Sequence, residues 1–385
     1  MKRKVCFVIT NFIHYSRSLL VLEELSKRDD VDLHIIVGGP ALSSKFTSKF
    51  ADIKQLLKKD GHHQLYDLHF NLEGNDSIVK AKTTGLGIIE FTTLFNQIKP
   101  DVIVVRGDRF EVLSATVAAA YMSIPVAHIE GGDLSGSIDE SVRHAITKLS
   151  HIHFPTNEPA KKRILKLGEA PSHVFNFGSP DIEVVEKLSK KTNKIDLKKT
   201  GSGALFDLTK GYLMVMYHPD IQDVKTVHIN TRKILKAVHD LGIPTLWFWP
   251  NIDAGSEDIS QELRNFKDEV KGHKIRFMRY LGPREFIWLL QNAFCLIGNS
   301  SAGIKESSFI GLPVVNIGKR QNQRLRGENV MTVTHDTKAI RKAIEKQIKN
   351  GKYKPSTMYF AKDTSKNIAK TIATVPLYTQ KMFFE

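Results

Sequence analysis

Three carboxylates within 32 residues could work together on one ligand. Asp108 follows the apolar run Val102 to Val105, Glu130 follows Pro125 to Ile129, and Asp139 stands at the head of the pattern Val142, Ala145, Ile146, Leu149. Both runs are short enough for fully buried strands, and the later pattern has the i, i+3, i+4, i+7 period of a helix. Ser137 and Glu140 have capping-box spacing, so this helix is expected to open at Ser137. Two carboxylates therefore sit just past the C-terminal ends of two strands, with a third at a helix start. In open α/β sheets that edge is where ligands bind. Each acid taken singly reads as a cap or turn residue. Three together, flanked by Gly107, Gly131 and Gly132, which let a ligand approach the backbone, read as a ligand site.

The elements that must position these residues alternate along the chain. Lys4 to Thr10, Val31 to Val37, the two central runs, His151 to Pro155 and His173 to Phe177 read as strands. Tyr15 to Leu25, Ser77 to Ile98 and Val112 to Met122 read as helices, whereas 42 to 75 has weak periodicity. The polar stretch Lys187 to Lys210 is the best linker. A second alternating series follows, with strands at Tyr212 to Tyr217, Thr245 to Trp249, Lys274 to Met278, Phe294 to Ile297, Val314 to Ile317 and Val330 to Val333. Strand–helix alternation implies right-handed crossovers and parallel sheets. No G-x-G-x-x-G follows the first strand, which argues against an ordinary dinucleotide site.

In the second series, Phe294 to Ile297 leads into Gly298-Asn299-Ser300-Ser301-Ala302-Gly303 and then a helix containing Glu306. A small-residue turn at a helix start presents backbone N–H groups to an anion. Arg320 and Arg324 can add fork-shaped donors to phosphate. A carboxylate such as Glu306 suits ribose hydroxyls better than phosphate.

The stretch GDRFEVLSATVAAAYMSIPVAHIEGGDLSGSIDESVRHAITKLSHIHF resembles the core of the hydrolysing UDP-N-acetylglucosamine 2-epimerases, and the likeness extends more patchily over nearly the whole chain. The resemblance implies an α/β, GT-B-like fold: two doubly wound Rossmann-like domains facing across a cleft. These would be 1–185, with a final helix in 361–385 crossing back to it, and 200–360. It implies conversion of UDP-N-acetylglucosamine and water to UDP and N-acetylmannosamine, in sialic-acid-type biosynthesis, without metal or redox cofactor. Loss of UDP from C1 acidifies C2, a carboxylate removes the C2 proton, and water adds to the resulting 2-acetamidoglucal with a proton delivered from the other face. Asp108, Glu130 and Asp139 match the three functional carboxylates. Glu130 and Asp139 are expected to be the acid–base pair and Asp108 an orienting group. Arg109, His218, Asn251, Leu281, Ser300, Ser301, Glu306 and Arg320 match substrate or nucleotide positions.

Departures from that pattern are Phe12 and His14 in place of an arginine and an acid, Pro40 and Arg106 where histidines are usual, and Glu183 for an aspartate. With no arginine at position 12, Arg17 and Arg106 are the candidates to reach the diphosphate. The bland alternative leaves Arg17 on the helix surface in solvent. These changes put the sugar in question more than the chemistry. Rival readings are a hydrolysing epimerase of a UDP- or GDP-linked 2,4-diacetamido-trideoxyhexose, a non-hydrolysing epimerase, a glycosyltransferase, and a basic nucleotide- or RNA-binding protein.

Composition bounds these readings. The chain has 385 residues, 41% apolar and 25% charged, as in soluble globular proteins. The net charge of +15 is scattered over lysines with no nucleic-acid motif, and a nucleotide-sugar ligand accounts for part of it. The apolar run at the N-terminus is too short for a signal peptide or membrane span. Cys6 and Cys295, both in expected strands, read as reduced core thiols of a cytoplasmic protein. A homodimer or homotetramer is expected from the resemblance.

Overall fold

The structure is a computed structural model describing residues 2–42, 52–74, 76–190, 195–220, 225–250, 255–279 and 281–385. The described residues fall into two compact units: Met1–Leu134 with Ile138–Val184 and Met358–Glu385, and Val185–Thr357 with Ser135–Ser137.

The first unit runs β1 (Arg3–Ile9), α1 (Phe12–Ser26), β2 (Val31–Gly38), α2 (Ile53–Lys59), β3 (Leu65–Leu68), α3 (Ser77–Ile98), β4 (Val102–Arg106), α4 (Phe110–Tyr121), β5 (Val126–Ile129), α5 (Asp139–Leu149), β6 (Ile152–Phe154), α6 (Glu158–Lys166) and α7 (Pro180–Ser189), the last continuing into the second unit. Among the described residues its sheet has six strands in the order β3-β2-β1-β4-β5-β6, all parallel. Alternation along β1 builds two cores. Val5, Phe7 and Ile9 enter one face and Cys6 and Val8 the other, each face covered by helices. A strand buried on both sides must be apolar throughout, which is why β1 and β4 are uninterrupted hydrophobic runs.

The second unit contains β7 (Ser202–Gly203), β8 (Leu213–Met216), α8 (Val227–Asp240), β9 (Thr245–Phe248), α9 (Ser256–Glu269), β10 (Ile275–Met278), α10 (Pro283–Asn292), β11 (Cys295–Gly298), α11 (Glu306–Ile310), β12 (Val314–Ile317), β13 (Val330–Val333) and α12 (Thr337–Asn350). Its described strands order as β13-β12-β11-β8-β9-β10-β7, with only the two-residue β7 antiparallel to its neighbour. The chain then forms α13 (Thr364–Thr374), whose Ile368, Ala369 and Ile372 complete the first unit's Val5–Phe7–Ile9 core. Arg3 donates to the carbonyls of Ile372 at 2.8 Å and Val375 at 2.9 Å. Beyond it, the Lys381 ammonium meets Glu169 and the Lys148 and Ser150 carbonyls, and the Phe384 N–H reaches the Gly168 carbonyl at 3.1 Å.

Several expectations are corrected. His173 to Phe177 is not a strand: Pro171–His173 is a 3-10 turn, and only Val174 bridges to His153 beside β6. The weakly patterned 42–75 holds α2 and β3, too short to show a period. The linker region is partly built, with β7, a 3-10 turn at Leu208–Lys210 and buried Leu197 and Leu208. Arg276 holds it down by donating to the carbonyls of Leu197, Thr200, Gly201 and Gly203. The final helix ends at Thr374 because Pro376 follows; proline prevents its predecessor from remaining helical. Among the described residues no helix is long and apolar enough to cross a membrane.

Candidate active site

In each sheet the strand order reverses once, between β1 and β4 in the first and between β8 and β11 in the second. Beyond the strands' carboxyl ends at such a switch point, neighbouring crossovers diverge and leave room for a ligand. Asp108 and Glu130 lie at the first of these points, and His218, Ser300, Ser301 and Arg320 at the second.

In the first unit, Arg106 ends β4 and pairs in register with Ile129, so Asp108 and Glu130 lie just beyond adjacent strands. Gly107 has φ +78° and Glu130 φ +75°. For a glycine this is free, but for a glutamate the left-handed region costs about 1–2 kcal/mol. The surroundings hold Glu130 there. Its N–H donates to the Phe154 carbonyl at 3.0 Å, and its carboxylate receives Arg106 Nη2 at 3.0 Å. Arg106 is 1% exposed, and it also donates to Asp181 and, at 2.9 Å, to the Arg17 carbonyl. Arg17 Nη1 lies 3.6 Å from Asp181 Oδ2, and its side chain is 18% exposed. Arg17 is therefore not on the open helix surface, and Arg106 is committed to carboxylates.

Asp108 has its own guanidinium. Arg143, on α5, donates to Asp108 and, at 2.7 Å, to the Asp133 carbonyl. Burial works against its charge, but Asp108 and Asp133 outweigh burial and raise its pKa above the ordinary value. Asp139 is the first residue of α5, one turn before Arg143, so the two share a helix face. The helix opens one residue later than foreseen, with Ile138 and not Ser137 in the cap position and no side-chain cap hydrogen bond there. Arg109, expected to face substrate, caps α4 and directs its guanidinium to Glu111 at 3.3 Å.

Two buried histidines frame the carboxylates. His128 Nε2 lies 2.8 Å from the Gly107 carbonyl, which can only accept, so this nitrogen carries the proton and Nδ1 accepts from Thr147 Oγ1 at 3.2 Å. A Cβ at residue 131 would lie 2.8 Å from that hydroxyl and 2.9 Å from His128 Nδ1, which makes Gly131 obligatory. Burial lowers the His128 pKa to about 3. His14, bonded to Thr10 at 3.2 Å, is lowered to about 3 by burial and then by Arg106 and Arg109, against the pull of Asp108 and Glu130.

In the second unit, Asn299 clasps the residue after Tyr217. Its Oδ1 accepts the His218 N–H and its Nδ2 donates to the His218 carbonyl, both at 2.8 Å. The Asn299 carbonyl in turn receives Arg320 Nη1 at 3.1 Å and Gln321 Nε2 at 2.9 Å. The structure thus brings His218, Ser300, Ser301 and Arg320 to one loop cluster. The expected helix start there takes a different form: Ser300 caps a 3-10 turn, Ser301–Gly303, and the helix proper is the five-residue α11 beginning at buried Glu306. Leu281 precedes α10 and packs on the second unit's core. Asn251 lies outside the described residues. Glu183 turns away to receive the Ser365 N–H of α13 at 2.7 Å. Pro40 is buried in a 3-10 turn after β2, and Phe12 opens α1 with its ring 5.9 Å from Tyr15.

Sequence reasoning missed Arg143, Asp181 and Asp133 as parts of this array. Arg143 was visible only as one turn beyond Asp139; Asp181 and Asp133 carry no local signal.

Two α/β units, each doubly wound about its own switch point, define the GT-B-like class, and a crystal structure of the Methanocaldococcus jannaschii UDP-GlcNAc 2-epimerase in complex with UDP-GlcNAc and UDP has the same fold. It superposes with a TM-score of 0.77 at 18% identity, covering 96% of this chain and 99% of that one. Residues 23–373 match the family model described as UDP-N-acetylglucosamine 2-epimerase, and the chain belongs to that family. It is 32% identical over 380 residues to the UDP-N,N'-diacetylbacillosamine 2-epimerase (hydrolyzing) of Legionella pneumophila, covering 99% of this chain and 98% of the relative. It is 34% identical over 332 residues to the GDP/UDP-N,N'-diacetylbacillosamine 2-epimerase (hydrolyzing) of Campylobacter jejuni, covering 86% and 84%.

Proposed function

We propose that this chain is a hydrolysing 2-epimerase that takes a UDP-linked 2-acetamido sugar and water to UDP and the free C2-inverted sugar. The observation that carries the reading is the pair of carboxylates beyond β4 and β5, each held by its own guanidinium, Glu130 by Arg106 and Asp108 by Arg143. The C2 proton of the intact sugar is barely acidic. Departure of UDP from C1 gives that carbon cationic character and makes the C2 proton removable by a carboxylate. Glu130 and Asp139 are the proposed proton carriers, with Asp108 oriented by Arg143 to stabilise charge at C1. Ser300, Ser301 and Arg320 are proposed to receive the diphosphate, Glu306 the ribose hydroxyls, and His218, Arg109, Leu281 and Asn251 the rest of the nucleotide sugar. We place the reaction in the cytoplasm, in a homodimer or homotetramer; Cys6 and Cys295, buried and unpaired, support the compartment.

For the sugar, the names and coverage of the Legionella and Campylobacter relatives support a 2,4-diacetamido-2,4,6-trideoxyhexose. The description of the matching family supports a second reading, UDP-N-acetylglucosamine itself, feeding sialic-acid-type sugars. Incubation with each nucleotide sugar in heavy water, followed by NMR of the products, decides between them. The accepted substrate should release UDP and a free sugar deuterated at C2. Product lacking C2 deuterium would remove the elimination mechanism, and product still bearing UDP would remove the hydrolytic one.

A further inference from the structure

Four charged side chains at the first switch point, Arg17, Arg106, Glu130 and Asp181, are linked in one array. Arg106 projects from the end of β4, where every side chain is buried, and its guanidinium donates to Glu130 Oε2, Asp181 and the Arg17 carbonyl. Asp181 opens α7 and is 2% exposed, with Arg17 of α1 as its second cation. The array ties β4, α1, α7 and the residue after β5 to one point. A guanidinium deprived of water needs fixed acceptors, and a carboxylate beside it is favoured in its charged form. The Glu130 backbone is held in the left-handed region by its N–H bond to the Phe154 carbonyl, and its carboxylate is held by Arg106 Nη2.

We propose that Arg106, itself anchored by Asp181, is the positioning residue that holds Glu130 ionised and aimed, so that Glu130 is the base of the reaction and not its acid. This rests on the hydrolytic epimerase reading above. The Glu130 carboxylate takes the C2 proton; the C2–H electron pair becomes the C1=C2 double bond as the C1–O bond breaks, and UDP leaves with that bond's electrons. Asp139 then delivers a proton to the opposite face of C2 while water adds through oxygen to C1 and returns a proton to Asp139. Glu130 releases its proton to solvent, which balances the charge gained by the departing UDP.

The test compares Arg106→Met, Arg106→Lys and Asp181→Asn by UDP release from pH 4 to 9. With Arg106→Met, the acid limb of kcat should move up by about one to three pH units, so that activity falls at least tenfold more at pH 5 than at pH 8. Arg106→Lys keeps a charge and should recover part of the shift. Asp181→Asn should lower kcat with little change in KM and no upward shift of the limb, since the charge on Arg106 remains. An acid limb unmoved in Arg106→Met, with the rate reduced equally at every pH, overturns the proposal. An unfolding cycle on Arg106→Met, Glu130→Gln and the double variant tests the pairing without turnover. The double variant should be no less stable than Arg106→Met alone, and strictly additive losses overturn the pairing. Wild-type protein that releases UDP from no nucleotide sugar overturns the function proposed above and the base assignment with it, while the cycle still decides the pairing.

Discussion

Glu130→Gln and Asp139→Asn should each lower turnover by about two to four orders of magnitude, the range for a lost general acid or base. Steady-state kinetics with the accepted nucleotide sugar should show KM changing far less, because each amide keeps the shape of its acid. Near-wild-type turnover in either variant removes that residue from the pair. Arg17→Ala should weaken UDP binding by less than tenfold in calorimetry. Its guanidinium faces Asp181, which spends much of its charge before an anion arrives. A larger loss would mean that Arg17 leaves Asp181 for the diphosphate. At this scale the placement of Asp108 and Glu130 beyond adjacent strands was legible, because strand, glycine and carboxylate are contiguous in sequence. Their counter-charges were not. Arg106 and Asp181 are 75 positions apart, and Arg143 reaches Asp108 across 35. Which arginine meets which acid depends on strand order and crossover path, and neither is written locally.

Elements with a long helical period or an unbroken apolar run were read well, and those with neither were not. The helix at Ser77 to Ile98 and the strands at Val314 to Ile317 and Val330 to Val333 have the bounds expected of them. β3 reads Leu-Tyr-Asp-Leu, an apolar run broken by Asp67 with only Leu68 buried, and α2 is seven residues, two turns, too short for a helical period to separate from chance. The segment at His173 looked like a strand because Val174, Phe175 and Phe177 are apolar; Phe175 and Phe177 pack on the first core, and the ladder goes no further than the single bridge from Val174 to His153. The links between elements also set a pH dependence. His128 ties the turn after β4 to α5 and is neutral when folded, with a pKa of about 3; His14 behaves alike. In the unfolded chain both take up a proton near pH 6.5. Below that pH the unfolded state binds more protons, so each histidine removes up to about 1.4 kcal/mol of stability per pH unit until the folded pKa is reached. Glu169, held at about 2 by His153 and Lys381 against the effect of burial, acts lower down. Its contribution is full above about pH 4.5 and is lost as pH falls towards 2. Melting temperature should therefore decline between pH 6.5 and 4.5 before any carboxylate contributes, and less steeply in His128→Gln. An equal slope in that variant would show that His128 is not buried neutral.

At the scale of the whole molecule, the first unit is assembled from distant parts of the chain. Its Val5–Phe7–Ile9 core is closed by Ile368, Ala369 and Ile372 of α13, and Arg3 fastens the end of that helix. Removing residues 358–385 should leave this apolar face open, lower the melting temperature by ten degrees or more and raise binding of a hydrophobic dye. The second unit's own core, built from β8–β13 with α8–α10 and α12, should survive as a separate unfolding transition. Loss of both transitions together would mean that the units do not fold independently. The same arrangement imposes an order on synthesis. When residue 184 has been made, the first unit has all six of its strands but lacks the helix that covers one face. The ribosome must then add the whole of the second unit before α13 exists, roughly 10–35 s at about 5–20 residues per second. Through that interval the nascent sheet carries bare aliphatic side chains on a surface that ends up in the core. The second unit, although later in sequence, is the first whose chain is complete, and the earliest strands of the protein are among the last to be sealed.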